Sequence, residues 1–301
     1  MKIKQKIYTV VLTWNNEKTI YNCIKSIRES SIPNEIVIVD NNSIDNTLKI
    51  LKSNFHQLTI IGIGSNLGCA AGNNIGINFA IENKANYIFL LNPDAIVSKT
   101  CIEKLLLRME QNKQLAITSP KIYYFNEPNR IWFAGSMIDW KKGTTYHIGQ
   151  NELDIGQHNQ IKKIDRACGC AMLVRSTCIL DTGLMDTRYF LYFEETDWSV
   201  KFTKNNYDIE YVPDAVCWHD ISSSTGGEYS PIYQYYMTRN RLLFMYKNGY
   251  LFSFKFLFNI VIQSVLSIFR ILVYSKKPKL KSIFAIFRGY HDFYTDFYKS
   301  N

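Results

Sequence analysis

Three acids fall within four positions of the segment Tyr192-Phe193-Glu194-Glu195-Thr196-Asp197-Trp198. A bare charge run is usually a solvated face, but this one lies between aromatic residues. Carboxylates crowded near a closed site raise one another's pKa, and a base near neutrality is what deprotonating a hydroxyl needs. Other candidates are dispersed along the chain: Thr13-Trp14-Asn15, Asp40-Asn41-Asn42-Ser43-Ile44-Asp45, Asn66-Leu67-Gly68-Cys69-Ala70-Ala71-Gly72-Asn73 and Asn92-Pro93-Asp94-Ala95. Each alone reads as an ordinary turn or helix N-cap, Asp45 before Asn46-Thr47 included. Four such loops in one chain point to a ligand site. His219, after the apolar run ending Ala215-Val216-Cys217-Trp218, reads by itself as a packed or surface histidine.

The elements around these loops make their position meaningful. Short β-branched runs at Tyr8–Leu12, Glu35–Val39, Leu58–Ile61 and Tyr87–Leu91 are nearly continuous in apolar character, as strands buried on both faces are. Helical spacing of apolar residues fills the gaps at Thr19–Ser30, Asp45–Ser53 and Ala70–Ile81. This alternation predicts an α/β fold with a parallel sheet. In such sheets ligands bind beyond the carboxyl ends of the strands, where the four polar loops lie. The glycines at 62, 64, 68, 72 and 76 do not make GxGxxG and do not open the first βαβ unit, so a dinucleotide fingerprint is a weak alternative. No GxxxxGK[ST], HExxH or CxxC zinc pattern occurs.

At 301 residues, with 47% hydrophobic and 20% charged residues, the chain is long enough for one large or two smaller folded domains. Disordered, collagen-like and low-complexity classes are excluded. Seven scattered cysteines without CxxC spacing indicate reduced thiols in a cytosolic setting. The basic start, Met1-Lys2-Ile3-Lys4, leads into an apolar stretch too short and too polar at its end for a signal peptide, so a cytoplasmic N-terminus is expected. The net charge of +9 is unevenly distributed. Residues 239–301 hold eleven Lys/Arg against two acids, which is the entire excess, and the preceding 238 residues hold 24 of each. That tail is also rich in Phe, Leu, Ile and Tyr, which suits an anionic membrane surface better than nucleic acid. Only 14 residues separate Lys255 from Arg270, so an interfacial helix is expected there rather than a full span. Packing of these helices on protein, or a homo-oligomer, is left open.

Taken in order, the loops, with Gly169-Cys170-Ala171-Met172-Leu173-Val174-Arg175, Phe193-Glu194-Glu195-Thr196-Asp197, His219, Ser222-Ser223-Ser224-Thr225 and Arg239-Asn240, resemble family 2 of the inverting nucleotide-sugar glycosyltransferases. The similarity is to the bacterial rhamnosyltransferase-like branch and runs over roughly residues 6–245. It implies a GT-A fold over 1–245, with a Rossmann-like nucleotide-binding half and helices on both faces of the sheet, followed by a basic, aromatic-rich membrane-surface module at 246–301. It also implies transfer of rhamnose or a hexose from a dTDP- or UDP-sugar to a lipid-linked glycan in polysaccharide synthesis.

What the resemblance implies for single residues follows from the reaction. A departing nucleoside diphosphate needs its charge neutralised, and the acceptor hydroxyl needs a base. The family's Asp-x-Asp metal motif reads Asn92-Pro93-Asp94 here, which leaves Asp94 as the anionic ligand for Mg2+ or Mn2+ and Asn92 for a carbonyl or ribose contact. His219 matches the family's late histidine and is a second metal ligand. The base matches Glu195, one methylene longer than the family's Asp, with Asp197 as the fallback and Glu194 orienting the acceptor or a loop. Asp40 would accept from the pyrimidine N–H. Thr13, Trp14 and Asn15 would line the base pocket, and Asn66, Gly68 and Asn73 would approach the nucleotide. The missing first Asp also leaves open a catalytically silent nucleotide- or glycan-binding protein of the same fold.

Overall fold

The N-terminal elements alternate as the periodicity predicts: β1 (Ile7–Thr13), α1 (Ile20–Arg28), β2 (Glu35–Asp40), α2 (Thr47–Asn54), β3 (Thr59–Gly62), α3 (Gly68–Glu82) and β4 (Tyr87–Leu91). After them come β5 (Ala95–Val97), α4 (Cys101–Gln111), β6 (Leu115–Tyr124), β7 (Glu127–Phe133), β8 (Ser136–Asp139), β9 (Thr144–His147), β10 (Lys162–Lys163), β11 (Ala171–Arg175), α5 (Ser176–Thr182), α6 (Glu194–Lys204) and β12 (Asp208–His219). The computed structural model describes residues 5–221, 227–275 and 278–298. Ser222 to Thr225, Lys276 and Lys277, singled out in the sequence, lie outside the described residues, as do Met1 to Lys4.

The chain forms two compact units. The first comprises Met1–Met137, His147–Phe190 and Glu194–Ile221; the second comprises Ile138–Tyr146, Leu191–Phe193 and Ser222–Asn301. The first unit is built on a ten-stranded sheet in the order β10-β12-β6-β11-β4-β1-β2-β3, with β5 on β12 and β7 on β6. Strands β4, β1, β2 and β3 pair in parallel, as do β6 and β12, while β11 is inserted antiparallel between β4 and β6. Residues Tyr87–Leu91 of β4 are buried throughout, the signature of a central strand covered on both faces. Close packing of α3 depends on missing side chains. A Cβ at Gly72 would lie 2.4 Å from Leu12 Cδ1, and one at Gly76 would lie 2.3 Å from Val10 Cγ1. Glycine at both positions lets the helix backbone settle on β1, and so fixes the height of the loop that opens α3.

The second unit contains three long helices. Helix α7 (Pro231–Lys247) starts at Ser230, whose hydroxyl accepts the Tyr233 N–H, with Pro231 in the first turn, where its missing N–H costs nothing. Helix α8 (Phe254–Tyr274) is followed by α9 (Lys279–Phe293). Gly289 of α9 meets α7 closely; a Cβ there would lie 2.9 Å from the Tyr235 carbonyl oxygen. Ser264 of α8 and Tyr290 of α9 share a 2.7 Å hydrogen bond. One expectation changes here. Helix α8 runs unbroken for 21 residues through Lys255 and Arg270, with mean hydropathy 2.1 over its best window. By length and composition it is long enough to cross a membrane, because both charges sit inside the helix near its ends and do not terminate it. Only Phe256, Ile260 and Ile271 are buried, and Phe254, Phe258, Val261, Val265 and Phe269 lie exposed along one stripe.

The α3–β1 contact yields a stability test. Gly76→Val should place methyl groups where Val10 already sits and lower the unfolding free energy by about 1–3 kcal/mol, read as a lower urea midpoint with an unchanged slope.

Candidate active site

The loops after β1, β2 and β3 are tied into one scaffold by asparagine side chains. Asn41 donates its backbone N–H to the Thr13 carbonyl (2.8 Å) and its amide to Asn66 Oδ1 (2.9 Å), while its own Oδ1 accepts the Leu67 N–H (2.8 Å). Asn66 Oδ1 also accepts the Gly68 N–H at 2.9 Å. Asn16 Oδ1 accepts from the Thr13 hydroxyl (3.1 Å) and the Trp14 N–H (2.9 Å), and Asn15 Oδ1 accepts the Ile44 N–H at 2.8 Å. Asn15 and Asn42 adopt φ of 55° and 68°, a left-handed conformation that asparagine tolerates better than most residues. Asp45 acts as the local turn acceptor: Oδ1 takes the Thr47 N–H and Oδ2 the Glu17 N–H, both at 3.0 Å. Burial opposes its charge, but these hydrogen bonds outweigh it and hold the carboxyl below its ordinary value.

The expected nucleotide-side residues therefore occupy one neighbourhood with unequal freedom. Trp14 is 48% exposed and presents a ring face. Asp40 is buried, and both its oxygens accept the Ser43 N–H, at 3.2 and 3.3 Å. Asn73 donates back to the Cys69 carbonyl one turn earlier. Gly68 is required by the protein itself: at φ +82° its Cβ would lie 2.4 Å from the Phe190 carbonyl oxygen. Asn92 donates its backbone N–H to the Cys170 carbonyl, and its carbonyl accepts from Cys23 Sγ.

Asp94 and His219 meet because β5 pairs antiparallel with the end of β12, with Ala95 opposite His219. The Asp94 carbonyl accepts the Asp220 N–H at 2.9 Å, and Asp94 Oδ1 lies 3.0 Å from His219 Nε2. Both side chains are buried, the imidazole packs 4.7 Å from the Trp132 ring, and His219 Nδ1 is buried without a hydrogen-bond partner. A hard divalent cation typically takes one or two carboxylates and leaves its other positions to phosphate and water. A carboxylate oxygen beside an imidazole nitrogen fits that need. Among the described residues, no group of three or more His, Cys, Asp or Glu forms a fuller cage.

The acids sit in the first turn of α6, where the helix dipole favours negative charge. Their environments differ. Glu195 Oε1 lies 3.2 Å from Arg166 Nε, with both side chains largely buried. Glu194 Oε2 is buried without a partner, and burial, then the Glu195 charge, push its carboxyl up to about 8. Asp197 points elsewhere on the helix and accepts from the Tyr189 hydroxyl at 3.2 Å. The Cys69 thiol at the start of α3 is raised well above its usual value, by burial first and then by Glu194, Glu195 and Asp94. One thiol thus feels both the acids of α6 and the Asp94–His219 pair. Sequence reasoning missed Arg166 and the scaffolding of Asn16 and Asn41. The available signal for Arg166 was a charge set in the otherwise buried run Ile164 to Cys168.

The family described as glycosyl transferase family 2 matches residues 8–178. A dTDP-rhamnosyl transferase, RfbF of Shigella flexneri, is 25% identical over 82% of this chain and 82% of its own length. The low-salt glycan biosynthesis hexosyltransferase Agl10 of Haloferax volcanii is 25% identical over 78% of this chain and 73% of its own. Among solved structures, the mannosyltransferase PcManGT of Pyrobaculum calidifontis, in complex with GDP-Man and Mn2+, superposes with a TM-score of 0.60 at 11% identity, covering 98% of this chain and 89% of that one. GalNAc-T7 with UDP, GalNAc and Mn2+ gives 0.63 at 16% identity over 82% of this chain, which spans only half of that structure. These likenesses establish the GT-A fold.

The raised Glu194 carboxyl has a measurable consequence. Its folded pKa lies above its ordinary 4.5, so the folded state binds the extra proton, and its contribution to stability falls as pH rises from about 4.5 to about 8. Glu194→Gln should remove that slope, so that urea midpoints of the variant gain on wild type toward pH 8.

Proposed function

The chain belongs to glycosyl transferase family 2, and from that premise we propose that it moves rhamnose or a hexose from a dTDP- or UDP-sugar to a lipid-linked glycan acceptor, with inversion. The observation that carries the reading is the pairing of chemistries about Cys69: a buried carboxylate–imidazole pair, Asp94 and His219, and a carboxylate held by Arg166, Glu195. The acceptor hydroxyl oxygen attacks the anomeric carbon while its proton passes to Glu195. The bond from that carbon to the diphosphate oxygen breaks, and the nucleoside diphosphate leaves with the electron pair. Attack from the face opposite the leaving group inverts the centre. Bound at Asp94 and His219, Mg2+ or Mn2+ supplies charge neutralisation for the leaving diphosphate. Glu194, carrying a proton near neutrality, orients the acceptor as a hydrogen-bond donor. Trp14 stacks on the base, Asp40 and Thr13 receive its polar edge, and Asn15, Asn66, Asn73 and Asn92 border the nucleotide. RfbF, dTDP-rhamnosyl by name, and structures holding UDP or GDP-Man with Mn2+ support this donor class.

The tail, residues 246–301, holds the enzyme peripherally on the inner face of the membrane. Polar Lys255, Asn259, Gln263 and Arg270 share one edge of α8, the buried Phe256, Ile260 and Ile271 mark its protein side, and the exposed stripe faces lipid. A spanning helix would need apolar residues all round. Lys279, Lys281 and Arg288 of α9 add attraction of about 1 kcal/mol each near an anionic leaflet. Tethering raises the local concentration of a membrane-confined acceptor.

Two experiments test these readings. With a panel of nucleotide sugars, nucleoside diphosphate release should identify one donor. Glu195→Gln should then cost about 10²–10⁴ in rate with donor affinity nearly intact, and Asp94→Ala should cost several kcal/mol of barrier. Near-normal turnover in either variant removes the role assigned to that residue. In sedimentation with phosphatidylglycerol-containing vesicles, the protein should bind at low salt, release as salt rises, and be extracted from membranes by alkaline carbonate. Retention after carbonate would show a span, and indifference to vesicles would make the tail a packing element.

A further inference from the structure

We propose that Arg166, fixed in place by the ring of His147, is the positioning residue for the Glu195 carboxylate. The proposal rests on the reading of Glu195 as the base. Arg166 is 6% exposed and lies on the buried segment between β10 and β11. Its Nε donates toward Glu195 Oε1 (3.2 Å) and toward the Ala167 carbonyl (3.2 Å), and its Nη2 lies 3.3 Å from His147 Nε2.

The tautomer of His147 follows from its partners. Nδ1 lies 3.1 Å from the Trp132 carbonyl, an acceptor only, so Nδ1 carries the hydrogen and Nε2 is left to accept from Arg166. Burial first, then the Arg166 charge, push the imidazole down to about 3, so it stays neutral and keeps that acceptor at any working pH. The ring is clamped edge-on by Trp132 and Phe133, at 4.8 and 5.2 Å. A directed chain results: Trp132 carbonyl, His147, Arg166, Glu195. The far end is fixed too. The Ala167 N–H donates to Ser199 Oγ (3.3 Å), and that hydroxyl donates to the Glu195 carbonyl (2.7 Å), which locks the Arg166 segment to α6. Glu195 Cγ then lies 3.4 Å from where a Cβ on Gly169 would sit, so the carboxylate has little room to swing.

The chain resolves an ambiguity built into the sequence, where Glu194 and Glu195 are adjacent and alike. The guanidinium pairs with Glu195, while Glu194 has a buried oxygen without a partner and takes the proton of the pair. The charged and titratable groups facing the two acids are Arg166, the Cys69 thiol at the start of α3 and the Cys168 thiol beside Arg166, with His219 adding its influence at His147. Both thiols are raised by burial first, so neither competes as a base near neutrality.

The test is a double-mutant cycle in the holoenzyme with donor and acceptor. Arg166→Met should lower kcat about 10²-fold through misplacement of the base, leave the donor KM within a few-fold, and move the acid limb of the kcat profile to higher pH. Arg166→Lys should recover part of kcat, and His147→Phe should show a smaller loss of the same kind. Arg166→Met in the Glu195→Gln background should cost little more, because the residue acts through Glu195. Full additivity would overturn the proposal and leave the base reading standing. Near-normal turnover of Glu195→Gln alone would instead overturn the base reading. A crystal structure of Arg166→Met in which Glu195 keeps its rotamer against Gly169 would overturn the positioning role whatever the rates show.

Discussion

The short antiparallel ladder between Ala95–Val97 and the end of β12 joins residues 125 positions apart, and the chemistry of the first unit depends on it. Asp94 ends the loop after a central parallel strand, and His219 ends a long strand on the other side of β6. Neither could find the other through local structure. The register of β12 against β6 makes the meeting possible. The ladder breaks between Val212, opposite Pro120, and Val216, opposite Lys121, so that Pro213, Asp214 and Ala215 loop out before pairing resumes. Two prolines at the break each lack the N–H that a continued ladder would demand. The irregularity re-aims the last four residues of the strand, and His219 is the last of them.

Around that ladder the unit buries several charges, and each is met by a partner. Arg166 faces Glu195, Lys121 donates to Asp154 at 2.7 Å and to Asn159 at 2.6 Å, and Arg108 pairs with Glu210 at 2.6 Å. Such pairs add little net stability, because desolvation cancels much of the attraction, yet losing one partner costs about 3–5 kcal/mol. Their effect is therefore on geometry: they penalise every arrangement in which the loops of 150–170 sit elsewhere. The loop Asp154 to Asn159, which carries no readable motif, is anchored in this way through Lys121 and the Tyr123 hydroxyl.

Local pattern carried much of this to the surface of the sequence. The β-branched runs at 8–12, 35–39, 58–61 and 87–91 became β1 to β4 within about a residue at most ends, because burial on both faces demands apolar residues at every position. The polar loops declared themselves by composition. What they do inside the fold did not. Asn41 and Asn66 spend their amides on each other and on backbone, and Gly68 is glycine because of Phe190, 122 positions later. Arg166 and His147 were invisible for a related reason: their meaning lies in a contact with α6 that no spacing encodes. Helix α8 shows the converse, since two charges read as boundaries were only the ends of a longer apolar element.

The seating of α3 on β1 has a consequence for how this sequence can drift over generations. Gly76 exists to admit Val10, and Gly72 to admit Leu12, positions more than sixty residues away along the chain. Neither glycine can acquire a side chain while its partner keeps its bulk, and a shortened partner alone leaves a void that the helix cannot fill. Descendants of this chain should therefore exchange volume across the pair, strand for helix, in linked steps. Where relatives carry a larger residue at the helical position, a smaller one should stand opposite.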